Sequence, residues 1–149
     1  MPSLDRSESL MNRRSDTEKT FLKIPSDIKY IKETSSGILK WLEPRKLDDS
    51  ALFDIRLCAE EMIRNAITHG NNSDSSLKVM IGYWLEGDRL IIEVEDEGIG
   101  FDPGKVPDPT IEKNIMKGGG RGVFLVRKLM DKIEFNDKGN KVRLTKYLK

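Results

Sequence analysis

Apolar residues recur at helical spacing in two segments of the first half of the chain, with intervals of three and four positions. This spacing predicts two amphipathic helices. The first is capped by Ser26 or Asp27 and ended by Pro44. The second is capped by one of residues 48–50 and stops near Gly70.

Five shorter segments are predicted to form strands. They are residues 21–25, 78–85, 89–95, 132–136 and 141–148. The first is a short edge strand because proline ends it. Gly87 lies between the second and third, and Gly139 between the last two, so each of these pairs is expected to form a hairpin.

A third helix is predicted over residues 123–130, after a connection of about twenty residues that carries three prolines. So long a connection inside a domain is typical of a functional loop or lid. The order of elements predicts an α+β fold, a two-layer sandwich with a mostly antiparallel, mixed sheet and helices on one face. Residues 1–19 are expected to be a flexible tail, and 20–149 a single domain.

Composition narrows the class of protein. Charged residues make up 34% of the 149 residues but nearly cancel to a net charge of +1, which argues against direct nucleic-acid binding. The single cysteine, Cys58, is expected to be a small buried residue. No apolar run is long enough for a membrane span or a signal core, so we expect a soluble, cytoplasmic protein without membrane contact.

The second predicted helix carries polar groups at the edge of its apolar face. Glu61 and Asn65 stand four positions apart and can converge on one ligand or metal ion. Arg56, Glu60 and Arg64 share a different face, where ordinary surface ion pairs are expected. On the helix alone, a merely solvated polar face is the simpler interpretation.

Two glycine-rich segments follow. In the first, Asp96 directly follows a strand and is followed by Gly98 and Gly100. A carboxylate there can accept a hydrogen bond from an exocyclic amine, and the glycines allow close approach of a planar base. The second opens the third helix, where unpaired N–H groups favour phosphate oxygens. Its residues are Lys117, Gly118, Gly119, Gly120, Arg121, Gly122 and Val123.

Taken singly these segments are weak signals, and neither fits the common phosphate-loop or dinucleotide patterns. In this order and spacing, however, residues 65–70, 96–100 and 120–126 closely resemble the three nucleotide boxes of the GHKL (Bergerat-fold) ATPase superfamily. The likeness runs from Phe21 to the C-terminus. The small format is most similar to the anti-sigma-factor serine/threonine kinases.

The resemblance implies a role for each matching residue. Glu61 matches the general base, Asn65 the magnesium ligand, and Asp96 the residue that binds the adenine amino group. The full set implied to bind the nucleotide is Asn65, His69, Asp96, Gly98, Gly100, Lys117, Gly118, Gly119, Gly120, Arg121, Gly122 and Val123. The family often has threonine after the glycine of the last hairpin, whereas this chain has Asn140, with Thr145 farther along.

The implied activity is ATP- and Mg²⁺-dependent phosphorylation of a serine or threonine on a small anti-sigma-factor antagonist protein, which regulates transcription by partner switching. A sigma factor is the implied second partner, and a homodimer is compatible with the family. One alternative is a partner-switching module that binds ATP without catalysis. Another is a detached histidine-kinase-type ATPase domain, although His69 is the only histidine and no dimerisation helix pair precedes it.

Overall fold

A five-stranded antiparallel sheet runs through residues 18–98 and 120–148, the part of the chain that the computed structural model describes. The strands are β1 (Thr20–Pro25), β2 (Lys78–Glu86), β3 (Arg89–Glu95), β4 (Lys132–Phe135) and β5 (Lys141–Tyr147). Their order across the sheet is β1-β2-β3-β5-β4. All four pairings among these strands are antiparallel, so the prediction of a mostly antiparallel sheet with β1 at an edge is confirmed.

Three α-helices accompany the sheet within the described ranges: α1 (Ile31–Trp41), α2 (Asp49–Asn65) and α3 (Gly120–Leu129). Asp27 begins a short 3₁₀ turn ahead of α1 by accepting a hydrogen bond from the Lys29 N–H. Asp48 caps α2, where its carboxylate accepts from the Ala51 N–H at 2.8 Å. Both caps lie at positions that the sequence pattern predicts.

The two hairpins have the tight turns expected from their glycines. Gly87 has φ +60° between β2 and β3, and Gly139 has φ +80° between β4 and β5. The side chain of Asn136 reinforces the second turn, because its Oδ1 accepts from the N–H groups of Gly139, Asn140 and Lys141. This turn brings Asn140 to the end of β3.

The core lies between one sheet face and the helices. Alternate strand residues point into it, and the apolar stripes of α1 and α2 cover them. Fully buried examples are Ile38, Ile55, Ile63, Ile67, Ile81, Leu90, Ile92 and Leu144. Cys58 is buried among them as predicted, and desolvation raises the pKa of its thiol to about 12.

The opposite sheet face carries an ion cluster around the buried Glu93 carboxylate, and this cluster joins β3 to β5. Glu93 is 8% exposed and faces Arg143 across the strands, with Arg143 Nη2 at 2.6 Å and Nε at 2.7 Å from its Oε2. Lys141 adds a second cation at 3.4 Å from Oε1. The cluster aligns the ends of β3 and β5, which lead into the candidate site.

No helix within residues 18–98 and 120–148 is long and apolar enough to cross a membrane. The expected tail lies almost wholly outside the described residues, as does the expected lid over most of its length.

Candidate functional site

The last turn of the second predicted helix is wider than an α-helix. After Asn65, residues Ala66–Gly70 form a π-helical turn, in which the Asn71 N–H donates to the Ala66 carbonyl at 2.9 Å. Beyond the turn, the Ser73 N–H donates to the Ile67 carbonyl, six residues earlier, at 2.7 Å. Single π turns inside helices are frequent at functional sites, and this one ends against β3.

Three residues meet where this turn approaches the end of β3. A Cβ atom on Gly70 would overlap the carboxylate of Asp96, and a Cβ on Gly98 would overlap the Gly70 carbonyl. A side chain is therefore excluded at Gly98, where the overlap is with backbone, and a side chain at Gly70 would displace the Asp96 carboxylate. The structure thus brings Asp96 and Gly98 together, as expected from the sequence, and adds Gly70 to them.

Asp96 is held firmly on its backbone side. Its N–H donates to the Asn140 carbonyl at 2.9 Å, and its carbonyl accepts from Asn140 Nδ2 at 3.0 Å. The Gly98 N–H donates to Asp96 Oδ1 at 2.8 Å. Burial raises the pKa of the Asp96 carboxyl above its ordinary 3.8, and the Gly98 bond only partly opposes this. A desolvated carboxylate with one oxygen already bonded is a strong acceptor for an N–H donor.

Glu61 faces the start of α3. A Cβ on Gly122 would overlap Glu61 Oε2, so this glycine lets α3 begin directly against the carboxylate. The other oxygen, Oε1, accepts from Arg64 Nη1 at 3.0 Å. The first turn of α3 has N–H groups without helical partners, and these open next to Glu61.

The neighbouring Glu60 has a different environment. Its Oε2 accepts from the Ser35 hydroxyl of α1 at 2.5 Å and from Arg56 Nε at 3.4 Å. The predicted Arg56–Glu60 pair is therefore present. Arg64 also forms an ion pair, and among the described residues its partner is Glu61, three residues away.

Asn65 is half-buried one turn beyond Glu61, and its side chain makes no capping hydrogen bond at the start of the π turn. The side chain carries an amide oxygen, a group that can bind a hard cation. His69 is exposed at the end of the π turn. No cluster of three or more His, Cys, Asp or Glu residues able to hold a metal occurs in the described ranges. A metal here would take one protein oxygen and the rest of its ligands from a substrate or water, as Mg²⁺ commonly does.

Other candidates fall at or beyond the limits of the described chain. Gly100, Lys117, Gly118 and Gly119 lie outside the described residues. Gly120 and Arg121 open α3, but only their backbone is described. Val123 is 3% exposed in the core, so its side chain serves packing and only its backbone could contact a ligand.

The two residues considered for the missing threonine are also placed. Asn140 is 7% exposed, and its side chain bonds Asp96 and Asn136. Thr145 pairs with Ile91 in the middle of β3, away from Asp96 at the strand's end. Asn140 is therefore the one that contacts the Asp96 turn.

Asn71 was missed by sequence reasoning. It begins a run of polar residues that predicts an exposed loop, yet it is 1% exposed and bonded to three segments. Only its position directly after the glycine that ends the helix hinted at a special environment.

The arrangement suits a nucleotide chemically. One end offers a desolvated carboxylate beside two glycines, which fits a planar base with an exocyclic amine. The other end offers a carboxylate, an amide oxygen and the N-terminus of a helix, which fits phosphate groups and a cation. Glu61 and Gly70 are nine residues apart on one continuous helical segment, so the two ends of the arrangement are separated along its axis.

Comparison with known proteins identifies the class. Residues 24–146 match the model of the histidine kinase-like ATPase domain family, and the chain belongs to that family. Within it, the chain is of the GHKL anti-sigma-factor-kinase-like type. It is 29% identical over 139 residues to the serine-protein kinase RsbW of Bacillus subtilis, with 85% of this chain and 84% of that protein covered. RsbW of Oceanobacillus iheyensis is 27% identical over 139 residues, with 85% of each chain covered.

Two solved structures share the fold. A chain of the SiaB–SiaC complex from Pseudomonas aeruginosa aligns with a TM-score of 0.62 at 12% identity, over 97% of this chain and 99% of that one. The RsbU and RsbW domains of a Mycobacterium tuberculosis protein align with a TM-score of 0.61 at 18% identity, over 87% of this chain and 32% of that one. This chain therefore spans about a third of the mycobacterial one.

Proposed function

We propose that this protein is an ATP- and Mg²⁺-dependent serine/threonine protein kinase of the anti-sigma-factor type. The observation that carries the proposal is the contact between Gly122 and Glu61, which sets a carboxylate against the helix N-terminus expected to hold the phosphates. The names of the RsbW relatives, which are serine-protein kinases, support the same activity.

In the proposed complex, Asp96 accepts a hydrogen bond from the adenine 6-amino group. Gly70 and Gly98 leave room for the base beside that carboxylate. The phosphates extend along the helical segment toward Glu61 and the start of α3. His69, exposed at the near end of this path, is proposed to lie on the nucleotide side.

Asn65 is the residue proposed to hold magnesium, through its amide oxygen. Bound there, the ion supplies charge neutralisation for the phosphates. One protein ligand suffices because Mg²⁺ retains water and phosphate oxygens in such sites.

Glu61 is proposed to accept the proton of the partner's hydroxyl. As the hydroxyl oxygen bonds to the γ-phosphorus, the bond to the leaving oxygen of ADP breaks and the proton passes to the Glu61 carboxylate. Arg64 holds one oxygen of this carboxylate, which leaves the other directed toward the start of α3. Positioning and charge neutralisation are expected to supply most of the rate enhancement.

A shallow cleft beside α2, the helix that carries Glu61, offers a surface for the protein substrate. Its volume is about 500 Å³, and its lining is Ile28, Ile31, Lys32, Arg56, Glu60 and Arg64. Three of these residues are basic, so the cleft fits a segment of a partner with apolar and acidic side chains. We propose a small anti-sigma-factor antagonist as phosphoacceptor and a sigma factor as second partner, for a cytoplasmic protein that can form a homodimer.

The test is phosphoryl transfer by the full-length protein. It is incubated with Mg-ATP and small single-domain candidate antagonists from the same genome, and the added phosphate is counted by intact-mass spectrometry. Glu61→Gln should lower transfer at least about a hundredfold while sparing ATP affinity, because the amide cannot accept the proton. Glu134→Gln, at an exposed position on β4, is the matched control and should transfer normally.

The same experiment separates the alternatives. Full transfer by Glu61→Gln would overturn the assignment of Glu61 as the general base. ATP binding with no transfer to any candidate would favour a non-catalytic partner-switching module. Phosphate that is lost in acid would indicate histidine phosphorylation, whereas phosphoserine and phosphothreonine are expected to survive the treatment.

A further inference from the structure

Asn71 lies directly beyond Gly70 and is 1% exposed. Its side chain makes three hydrogen bonds. Oδ1 accepts from the Glu97 N–H at 2.9 Å, while Nδ2 donates to Ser26 Oγ at 2.8 Å and to the Lys78 carbonyl at 3.0 Å. A buried amide with this many good partners defines the relative positions of the groups it joins.

The three partners belong to three different parts of the fold. Ser26 follows β1, and its hydroxyl donates to the Leu77 carbonyl at 2.8 Å. Lys78 begins β2, and Glu97 is the residue after Asp96. Asn71 therefore ties the end of the helical segment to the end of β1 and the start of β2 on one side, and to the Asp96 turn on the other.

The opposite side of this turn is fixed by Asn140, which bonds both the N–H and the carbonyl of Asp96. Asn71 directly follows Gly70 and hydrogen-bonds the Glu97 N–H, so it links the turn to the glycine whose missing side chain makes room for the Asp96 carboxylate. A shift of Glu97 away from Asn71 would therefore move that carboxylate relative to the helix.

We propose that Asn71 is a positioning residue that determines the specificity for the nucleotide base, because it holds the Asp96 carboxylate in its position beside Gly70. This inference rests on the proposed function, since it takes Asp96 as the acceptor for the adenine amino group. Asparagine suits the position because it combines an acceptor for Glu97 with two donors for Ser26 and Lys78.

The test compares ATP with inosine triphosphate, in which a carbonyl replaces the 6-amino donor. Both are titrated calorimetrically, with Mg²⁺, into the full-length wild type and the variants. The wild type should prefer ATP. Asn71→Ala should weaken ATP binding by about tenfold and inosine triphosphate binding far less, so the ratio of the two affinities falls. A merely structural role would weaken both nucleotides equally and keep the ratio.

Two further variants sharpen the result. Asn71→Asp keeps the acceptor for Glu97 and loses both donors, so it should lower thermal stability yet retain the ATP preference. Ser26→Ala removes a bond of the same cluster without touching the Asp96 turn, and it too should retain the preference. If Asn71→Ala does not fold, Asn71→Ser is used with the same expectation, because its hydroxyl is too short to reach the Glu97 N–H.

The outcomes are distinguishable. A wild type that binds both nucleotides equally, or neither, overturns the adenine role of Asp96 and with it the inference. A wild type that prefers ATP, combined with an unchanged ratio in Asn71→Ala, overturns the role of Asn71 alone. A reduced ratio in Asn71→Ala and an unchanged one in Asn71→Asp supports it.

Discussion

Asp96 combines a cost in stability with a proposed use in binding. Its carboxylate is partly desolvated beside Gly70, and burial raises its pKa above the ordinary value of 3.8. The ionised form is therefore less favourable in the folded protein than in the unfolded chain. Such a penalty is typical of residues retained for function rather than for stability.

Asp96→Asn should accordingly stabilise the protein at neutral pH. The folded-state pKa is raised, so the penalty is absent below pH 3.8 and fully present once the pH exceeds the raised value. The amide retains an acceptor for the Gly98 N–H. We expect the midpoint of thermal unfolding to rise by about 1–3 °C at pH 7 and the gain to shrink toward pH 4, as measured by circular dichroism.

A fall in the unfolding midpoint of Asp96→Asn at pH 7, or a gain of the same size at both pH values, would contradict this account of Asp96. The Glu134→Gln variant, which removes an exposed carboxylate from β4, is the control for a general change in surface charge.

Residue identities at the site were partly predictable. Glu61 and Asn65 stand out because carboxylate and amide interrupt an apolar face. The partner of Arg64 could not be predicted, since i,i+3 pairing with Glu61 and i,i+4 pairing with Glu60 are both open to it. Asn71 could not be recognised because its burial depends on Ser26, 45 positions earlier in the chain.

The helices and strands themselves could be predicted closely from the local sequence pattern. Asp27 and Asp48 start helical turns, and Gly87 and Gly139 close hairpins, because capping and positive φ are local requirements. The π turn after Asn65 was not predicted. It places Gly70 against Asp96 and Gly98, which are 26 and 28 positions later in the chain, so the helix sequence alone does not indicate it.

The meeting of α2 with α3 depends on Gly122. A methyl group there would overlap Glu61 Oε2, so Gly122→Ala should displace the carboxylate or the start of α3. We expect phosphoryl transfer to fall by about ten- to a hundredfold with a smaller loss of ATP affinity. The measurement is the initial rate of phosphate incorporation, together with calorimetry for the affinity.

Gly37→Ala is the matched control, because a Cβ there meets nothing within 4 Å in the middle of α1. It should raise stability by about 0.5–1 kcal/mol and leave the transfer rate unchanged. Equal rates for Gly122→Ala and the wild type would show that the contact with Glu61 is not needed for transfer.

At the scale of the whole molecule, the sheet aligns two separate parts of one site. Antiparallel pairing carries β3 and β5 to the same edge, where Asp96 meets Asn140, and the Glu93–Arg143 contact fixes that alignment. The layer arrangement was predictable from element order, since apolar helix stripes must cover one sheet face. The strand registers could not be predicted, because they depend on contacts between residues that are far apart in the sequence.

The central claim is that this fold holds a nucleotide between Asp96 and Glu61. Titration of Mg-ATP into the full-length protein by isothermal calorimetry tests it most directly. We expect saturable binding of one ATP per chain, retained in Glu61→Gln and lost in Asp96→Asn. No binding at millimolar Mg-ATP, or equal binding by wild type and Asp96→Asn, would contradict the claim.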